Sequence, residues 1–304
     1  MKGAILVTTS SFGVTDSSPV ERMRAAGYEV RLNSFGRKLT RAESLQLLAD
    51  EQVVGLLAGL EQLDAEVLAA SHLRAIVRVG SGVSNVDLAA ATARGIEVHR
   101  TPDGPTSAVA ELTVGALLSL WREIPAFNAD LHGRSWKKRT GRQIQGSTVL
   151  VVGYGRIGAR VAELMSVFGA EVLVADPFVE EAVPFPVVTT AAGFPRADVI
   201  CFHNSGAECL LDVADLERLK PGVVVLNASR GGVASEEALV EGLRRAIIGG
   251  VWLDVFSREP YDGPLCDEPR ALLTPHVGSY TKECRIRMES DAVEILLDAL
   301  SRAG

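Results

Sequence analysis

Cysteine is scarce in this chain. Only Cys201, Cys209, Cys266 and Cys284 occur in 304 residues, and no two form a C-x-x-C pair. That spacing excludes a zinc ribbon and a thioredoxin-type motif, and it reads as reduced, partly buried thiols of a cytosolic protein. Long apolar runs are missing too. Nothing approaches the roughly 18 uncharged apolar residues of a membrane span, and no signal-peptide core or cleavage site follows the short run Ala4–Val7. A cytoplasmic protein with no membrane partner is expected. Basic excess is absent, with 31 Lys and Arg against 38 Asp and Glu and a net charge of −7. A broad nucleic-acid surface is therefore not expected. The five histidines stand in no cluster with cysteines or acids at ligand spacing, so no metal is expected. Low-complexity tracts and like-charge blocks are lacking as well. What remains is an ordinary globular composition in a chain long enough for two domains.

Strand and helix signals alternate along the chain. Apolar runs at Ala4–Val7, Tyr28–Leu32, Val53–Ala58 and Leu73–Val79 read as strands. Ser18-Pro19 reads as a helix start with serine as cap, Thr40 and Glu43 as a capping box, and Asp64 as a further cap. The segment HRTPDGP, His99 to Pro105, is punctuated by Pro and Gly and reads as a domain crossing. A long helical stretch from Thr106 to about Gly133 follows, which Pro125 should kink or break. Strands are then expected at Thr148–Val152, Glu171–Ala175, Val199–Phe202, Val223–Asn227 and Gly250–Asp254. Thr274 to Gly278, TPHVG, reads as a second crossing before a last helix from about Tyr280 to Leu300. The fold class expected is α/β: two doubly wound parallel-sheet lobes of flavodoxin-like or Rossmann type, one inserted into the other. The outer lobe would hold residues 1–99 and 279–304, the inner one 100–278.

The segment VLVVGYGRIG places Gly153, Gly155 and Gly158 in a G-x-G-x-x-G pattern between a strand and a helix. The pattern alone is weak, but this context is the one it requires. Gly153 serves the tight turn, Gly155 the approach of a pyrophosphate, and Gly158 the packing of helix on strand. Arg156 and Ile157 open the helix, whose N-terminus offers N–H groups and a positive dipole to phosphate. Asp176 ends the next strand. A carboxylate there accepts hydrogen bonds from ribose hydroxyls and repels a 2′-phosphate, so NAD is expected over NADP.

Six segments in order carry a resemblance: RVGSGVSNVDLAAATARGI, TPDGPTSAVAELT, VVGYGRIG, LKPGVVVLNASRGG, LDVFSREP and LLTPHVGSYTKE. Over about residues 75–290 the chain resembles the D-isomer-specific 2-hydroxyacid dehydrogenase family, and most of all its phosphoglycerate dehydrogenase branch. The resemblance implies an oxidoreductase that moves a hydride between NAD and a small 2-hydroxy or 2-oxo acid. It also implies a homodimer built on the NAD-binding lobe. It makes Arg230, in NASRG, the substrate arginine, Glu259 the acid, and His276, in TPH, the general acid/base. Taken alone, each is more often a surface or core residue. Together their chemistry is coherent: a guanidinium grips an α-carboxylate, and a carboxylate beside imidazole orients the ring and stabilises the imidazolium that donates a proton. Asp254 matches an aspartate by the nicotinamide. His203 matches a strand-end histidine and reads as structural.

Arg78 matches a substrate-facing arginine of that branch, and the N–H groups of Ser81, Gly82 and Val83 could hold a carboxylate as a nest of donors. Lys137, Lys138 and Arg139 fall where that branch places basic residues near a substrate phosphate; a solvated face explains them equally well. A phosphorylated substrate like 3-phosphoglycerate is one expectation. A hydroxypyruvate, glyoxylate or phosphonopyruvate-type reductase is the alternative, and a non-catalytic NAD-sensing protein is the alternative of another class. The chain departs from the family pattern at Pro105, at Asn204–Glu208, at Ala234-Ser235 and at Trp252. Serine can still cap the helix after Ser235, while a large indole at Trp252 needs room and a partner for its N–H.

Overall fold

The computed structural model describes residues 2–179 and 182–302. The chain divides into two compact units, Met1–Pro105 with Ser279–Gly304, and Thr106–Gly278.

The outer unit carries strands β1 (Ala4–Val7), β2 (Glu29–Leu32), β3 (Val53–Ala58), β4 (Ala75–Arg78) and β5 (Glu97–Arg100). They form one parallel sheet in the order β2-β1-β3-β4-β5. β1, β3 and β4 are buried along their whole length, which is why they read as unbroken apolar runs rather than as alternation. Helices α1 (Ser18–Ala25), α2 (Arg41–Leu48), α3 (Ala65–Ala69) and α4 (Leu88–Ala93) connect them, and the C-terminal helix Lys282–Arg302 packs on β3, β4 and α1. The capping box of α2 and the Asp64 cap of α3 form as the sequence suggests. At α1 the start is shifted by one residue. Ser17 takes the cap position, and Ser18 lies inside the helix with its N–H and hydroxyl both donated to Asp16. β5 overlaps the segment that reads as a crossing. It is a short, charged edge strand, EVHR, with no apolar period to reveal it.

The inner unit opens with α5 (Pro105–Trp121) and α6 (Ile124–His132). The break between them sits just before Pro125, with Glu123 in the left-handed region at φ +48°. Strands β6 (Thr148–Val152), β7 (Glu171–Ala175), β8 (Val199–Phe202), β9 (Val223–Asn227), β10 (Ile248–Leu253) and β11 (Ala271–Leu273) follow, with helices α7 (Arg156–Val167), α8 (Thr190–Gly193) and α9 (Glu236–Arg244) among them. The sheet is parallel, in the order β11-β10-β9-β8-β6-β7. Both faces are covered. Leu150, Val152, Ile200 and Phe202 point into one core, and Val149, Val151, Val199 and Cys201 into the other. Ser235 caps α9 through Ala238 N–H. Trp252 is fully buried and its indole N–H donates to Thr274 Oγ1 at 3.0 Å, so the indole finds its partner.

Asp198 ties the amino-terminal side of this sheet together. It accepts hydrogen bonds from Thr148 N–H and Arg142 and pairs with Lys220. Burial pushes its carboxyl up, but those bonds outweigh burial and hold it at about 2, below the usual 3.8. The stabilisation is full above the unfolded value and is lost as pH falls through the folded one. An acid titration followed by near-ultraviolet circular dichroism should therefore show about 2 kcal/mol of stability lost between roughly pH 4 and pH 2. That slope should vanish in Asp198→Asn; an unchanged acid transition in the variant would remove Asp198 from the account.

Candidate active site

The carboxyl ends of the inner strands gather the polar residues. At the end of β6 the chain turns at Gly153, φ +91°, where an added Cβ would lie 2.4 Å from Asn204 N. An added Cβ on Gly158 would lie 1.9 Å from Gly153 O. These two glycines let the turn press against the exit of β8 and let α7 press on the turn. Gly155 differs: an added Cβ there meets nothing within 4 Å, so this face is open. The first-turn N–H groups of α7, opened by Arg156 and Ile157, have no acceptor inside a helix. The open face above them suits a dinucleotide's pyrophosphate. Asp176 follows β7, where its carboxylate accepts Tyr154 N–H at 2.7 Å and Phe178 N–H at 2.9 Å. Two donors orient it beside the turn and leave lone pairs for ribose hydroxyls. The residues therefore fit NAD. His203, at the exit of β8, is half-buried, and its two ring nitrogens are buried with no partner among the described residues. Burial lowers its pKa to about 4, so the ring is neutral near pH 7.

Arg230 lies past the end of β9. Asn227 shapes that turn, donating to Arg230 O at 2.9 Å and accepting both the N–H and the hydroxyl of Ser229. The guanidinium donates to Ser229 O at 2.6 Å, and burial pulls its pKa below the usual arginine value. An anion at this point would offset that desolvation. Gly231 is where this turn meets the loop after β10, since an added Cβ would lie 2.0 Å from Phe256 C. That loop carries Glu259, whose Oε1 accepts Phe256 N–H at 3.2 Å.

His276 follows β11. Its Nδ1 faces both oxygens of Glu259, at 3.1 and 3.0 Å. This leaves Nε2 as the ring nitrogen able to exchange a proton. His276 sits at φ +54°, a conformation L-residues rarely adopt. Asp254, past the end of β10, holds it there. Its Oδ1 accepts Thr274 Oγ1 at 2.6 Å and Val277 N–H at 2.8 Å, and its Oδ2 accepts Gly278 N–H at 2.7 Å. Asp254 is 2% exposed, and burial raises its pKa against the effect of those bonds. Its carboxylate thus anchors the turn that presents His276. Sequence reasoning misses Asn227, Ser229 and Thr274, although they stand inside the NASRG and TPHVG segments; nothing in residue type marks them as braces.

In the outer unit Arg78 ends β4, buried, with its guanidinium donating to Val79 O. Ser81, Gly82 and Val83 follow. Gly80 N–H donates to Thr101 Oγ1 at 2.8 Å and Arg100 donates to Ser81 O at 2.9 Å, which fixes the loop. Within the inner unit, Arg139 pairs with Asp130 at 2.6 Å and Glu123 at 3.3 Å and lies over the Phe127 ring. It is thus held by two acids of its own unit, while Lys137 and Lys138 are exposed. Among the described residues no helix is long and apolar enough to cross a membrane, and no His/Cys/Asp/Glu group is arranged to hold a metal ion.

Known proteins resemble this chain in sequence and in fold. The family model described as D-isomer specific 2-hydroxyacid dehydrogenase, NAD binding domain, matches residues 114–278. The D-3-phosphoglycerate dehydrogenase of Mycobacterium tuberculosis is 38% identical over 250 residues, 79% of this chain and 47% of that protein. The rat D-3-phosphoglycerate dehydrogenase is 36% identical over 275 residues, 83% of this chain and 52% of that protein. The chain spans about half the length of the curated relatives it matches. The TT0316 protein of Thermus thermophilus superposes with a TM-score of 0.90 at 35% identity, covering 98% of this chain and 97% of that one. With its NAD-binding unit matched by the family model and its parallel-sheet architecture shared, this chain belongs to the D-isomer-specific 2-hydroxyacid dehydrogenase family.

Proposed function

We propose that the chain is an NAD-dependent oxidoreductase that interconverts a small (D)-2-hydroxy acid and its 2-oxo acid. The observation that carries this reading is the Glu259–His276 pair, with Nδ1 fixed and Nε2 left for chemistry. NAD, when bound, supplies the hydride acceptor of the oxidation and the hydride donor of the reduction. The chain's own residues supply the rest. His276 delivers a proton from Nε2 to the carbonyl oxygen in reduction and takes the hydroxyl proton in oxidation. Glu259 orients the ring and stabilises its charged form. Arg230 binds the α-carboxylate and polarises the neighbouring carbonyl. Gly153, Gly155, Arg156, Ile157, Gly158 and Asp176 would hold the dinucleotide, and Asp176 disfavours a 2′-phosphate. Residues 100–278 form the NAD-binding domain in this reading, and residues 1–99 with 279–304 the substrate domain, through Arg78 and the N–H groups of Ser81, Gly82 and Val83. A homodimer through the NAD-binding domain is supported by α6, which has no buried residue and exposes Ile124 and Leu131.

The test is NADH consumption with a panel of 2-oxo acids that includes hydroxypyruvate, glyoxylate, 3-phosphohydroxypyruvate and phosphonopyruvate, with NADPH as control. Reduction of at least one acid with NADH, and at least about 10-fold less with NADPH, is expected. NADH binding without turnover of any 2-oxo acid would favour a non-catalytic NAD-sensing protein instead.

A further inference from the structure

Trp252 stands two residues before Asp254, and register pairs it with Leu272 of β11. Side chains two apart on a strand share a face, so Trp252 and Asp254 line up beside Leu272 and Thr274. The indole is fully buried, in the core cluster that holds Val114 and Leu117 of α5 and Leu226 of β9. Its rings would fill that core without any polar group, yet its N–H donates to Thr274 Oγ1 at 3.0 Å. A hydroxyl has one proton and two lone pairs, and an indole N–H can only donate, so Trp252 takes the acceptor side of Oγ1. The Thr274 proton has two oxygens in reach, Asp254 Oδ1 at 2.6 Å and Leu253 O at 3.5 Å. Leu253 O already accepts Thr274 N–H at 3.0 Å, and the carboxylate is both nearer and the stronger acceptor. The proton therefore goes to Asp254.

The donors thus run in one direction, from the indole N–H to the Thr274 hydroxyl to Asp254, and bonds in such a chain strengthen one another. At its far end Asp254 accepts Val277 N–H and Gly278 N–H, the two residues just past His276. An added Cβ on Gly278 would lie 2.9 Å from Asp254 Oδ2 and 3.1 Å from Val109 Cγ2, so α5 and the turn close on the carboxylate together. We propose that Trp252 is a positioning residue of the active site: its indole N–H sets the direction of the Thr274 hydroxyl, and through it the Asp254 carboxylate and the turn that presents His276. The proposal rests on reading His276 as the proton carrier of a 2-hydroxyacid dehydrogenase. It gives a use to one of the positions at which the chain departs from the family pattern.

The test replaces Trp252 in the full chain by its benzothiophene analogue, introduced at that codon alone, which keeps the fused ring and loses the N–H. For the preferred 2-oxo acid kcat should fall about 10-fold, with KM and NADH affinity nearly unchanged. Thr274→Val keeps the shape of threonine without its hydroxyl and should lower kcat at least about 10-fold, and Thr274→Ser should recover most of that loss. The analogue and Thr274→Val together should cost no more than Thr274→Val alone, because both break one chain. Should the analogue fail to fold, the indole N–H resonance of Trp252 is followed instead: it should move in Thr274→Val and return in Thr274→Ser, in step with kcat. A second arm needs no turnover. It records the ring-nitrogen resonances of isotope-labelled histidine, with His276 assigned by its absence from His276→Ala. The wild type should give one sharp Nδ1–H signal; the analogue should shift or broaden it and speed amide exchange at Val277 and Gly278. Those changes support the positioning role even if no acid is reduced, in which case only the dehydrogenase reading fails. An unchanged His276 signal, losses that add in the double replacement, or a lower melting temperature with kcat intact would show that Trp252 only fills the core.

Discussion

Replacing His276 with alanine is expected to lower kcat for reduction of the preferred 2-oxo acid by roughly 10²–10⁴-fold, the usual worth of a positioned general acid. NADH affinity, read from nicotinamide fluorescence, should change little, because the dinucleotide cradle at Gly153–Gly158 lies on β6 and α7 rather than on the β11 turn. The separation matters. A loss confined to kcat says that His276 acts on the reacting atoms; a matching loss of NADH affinity would say that the turn has collapsed instead. Glu259→Gln should give a smaller fall than His276→Ala. Glutamine can still accept from the Nδ1 hydrogen, but it no longer stabilises the imidazolium that transfers the proton. The two losses should not add in the double variant, since the carboxylate acts through the ring it contacts at 3.0 Å. If His276→Ala retains more than about a tenth of wild-type kcat, another group carries the proton and the assignment falls.

The second large effect is expected at Asp254. Its carboxylate accepts three hydrogen bonds from the turn that presents His276, while burial opposes keeping it charged. Asp254→Ala leaves Val277 N–H and Gly278 N–H without acceptors and releases a histidine held at φ +54°. With charged hydrogen bonds worth about 1.5–3 kcal/mol each and burial subtracting from their sum, a net loss of about 3 kcal/mol is expected. For a domain of this size that corresponds to a fall in melting temperature of about 10 °C. Activity should fall with it, through kcat, because the ring is no longer aimed. Asp254→Asn tests the anchoring more finely. Its oxygen can serve Thr274 and Val277, but its amide then meets Gly278 N–H donor to donor, so a partial loss is expected. A full melting temperature together with a lost kcat in Asp254→Asn would show that the charge acts on the nicotinamide and that anchoring is secondary.

Much of this molecule is legible in its sequence because the signals are local. Strands buried on both faces are unbroken apolar runs, as at Leu56-Leu57-Ala58 and Val149–Val152. Capping residues sit within four positions of the N–H groups they accept, as at Thr40, Asp64 and Ser235. The turn from β6 into α7 needs its glycines within six residues, and Asp176 follows at the end of the very next strand. The resemblance carries Arg230, Glu259 and His276 in a set order, so their candidacy needs no coordinates.

The tertiary structure decided matters that depend on residues far apart in the chain. β5 and β11 are short edge strands whose identity lies in their pairing with β4 and β10, which no period in EVHR or ALL announces. The sequence offers Asp254 only as a match to an aspartate by the nicotinamide; that its oxygens also accept from Thr274, Val277 and Gly278, more than 19 positions along, is seen only in the structure. Arg139 reads equally well as a phosphate ligand or as part of a solvated face; its pairing with Asp130 and Glu123 is seen only in the structure. The physical reason is the same in each case: a charged side chain's role is set by which of its hydrogen bonds are already taken, and those partners arrive only when distant strands are laid side by side.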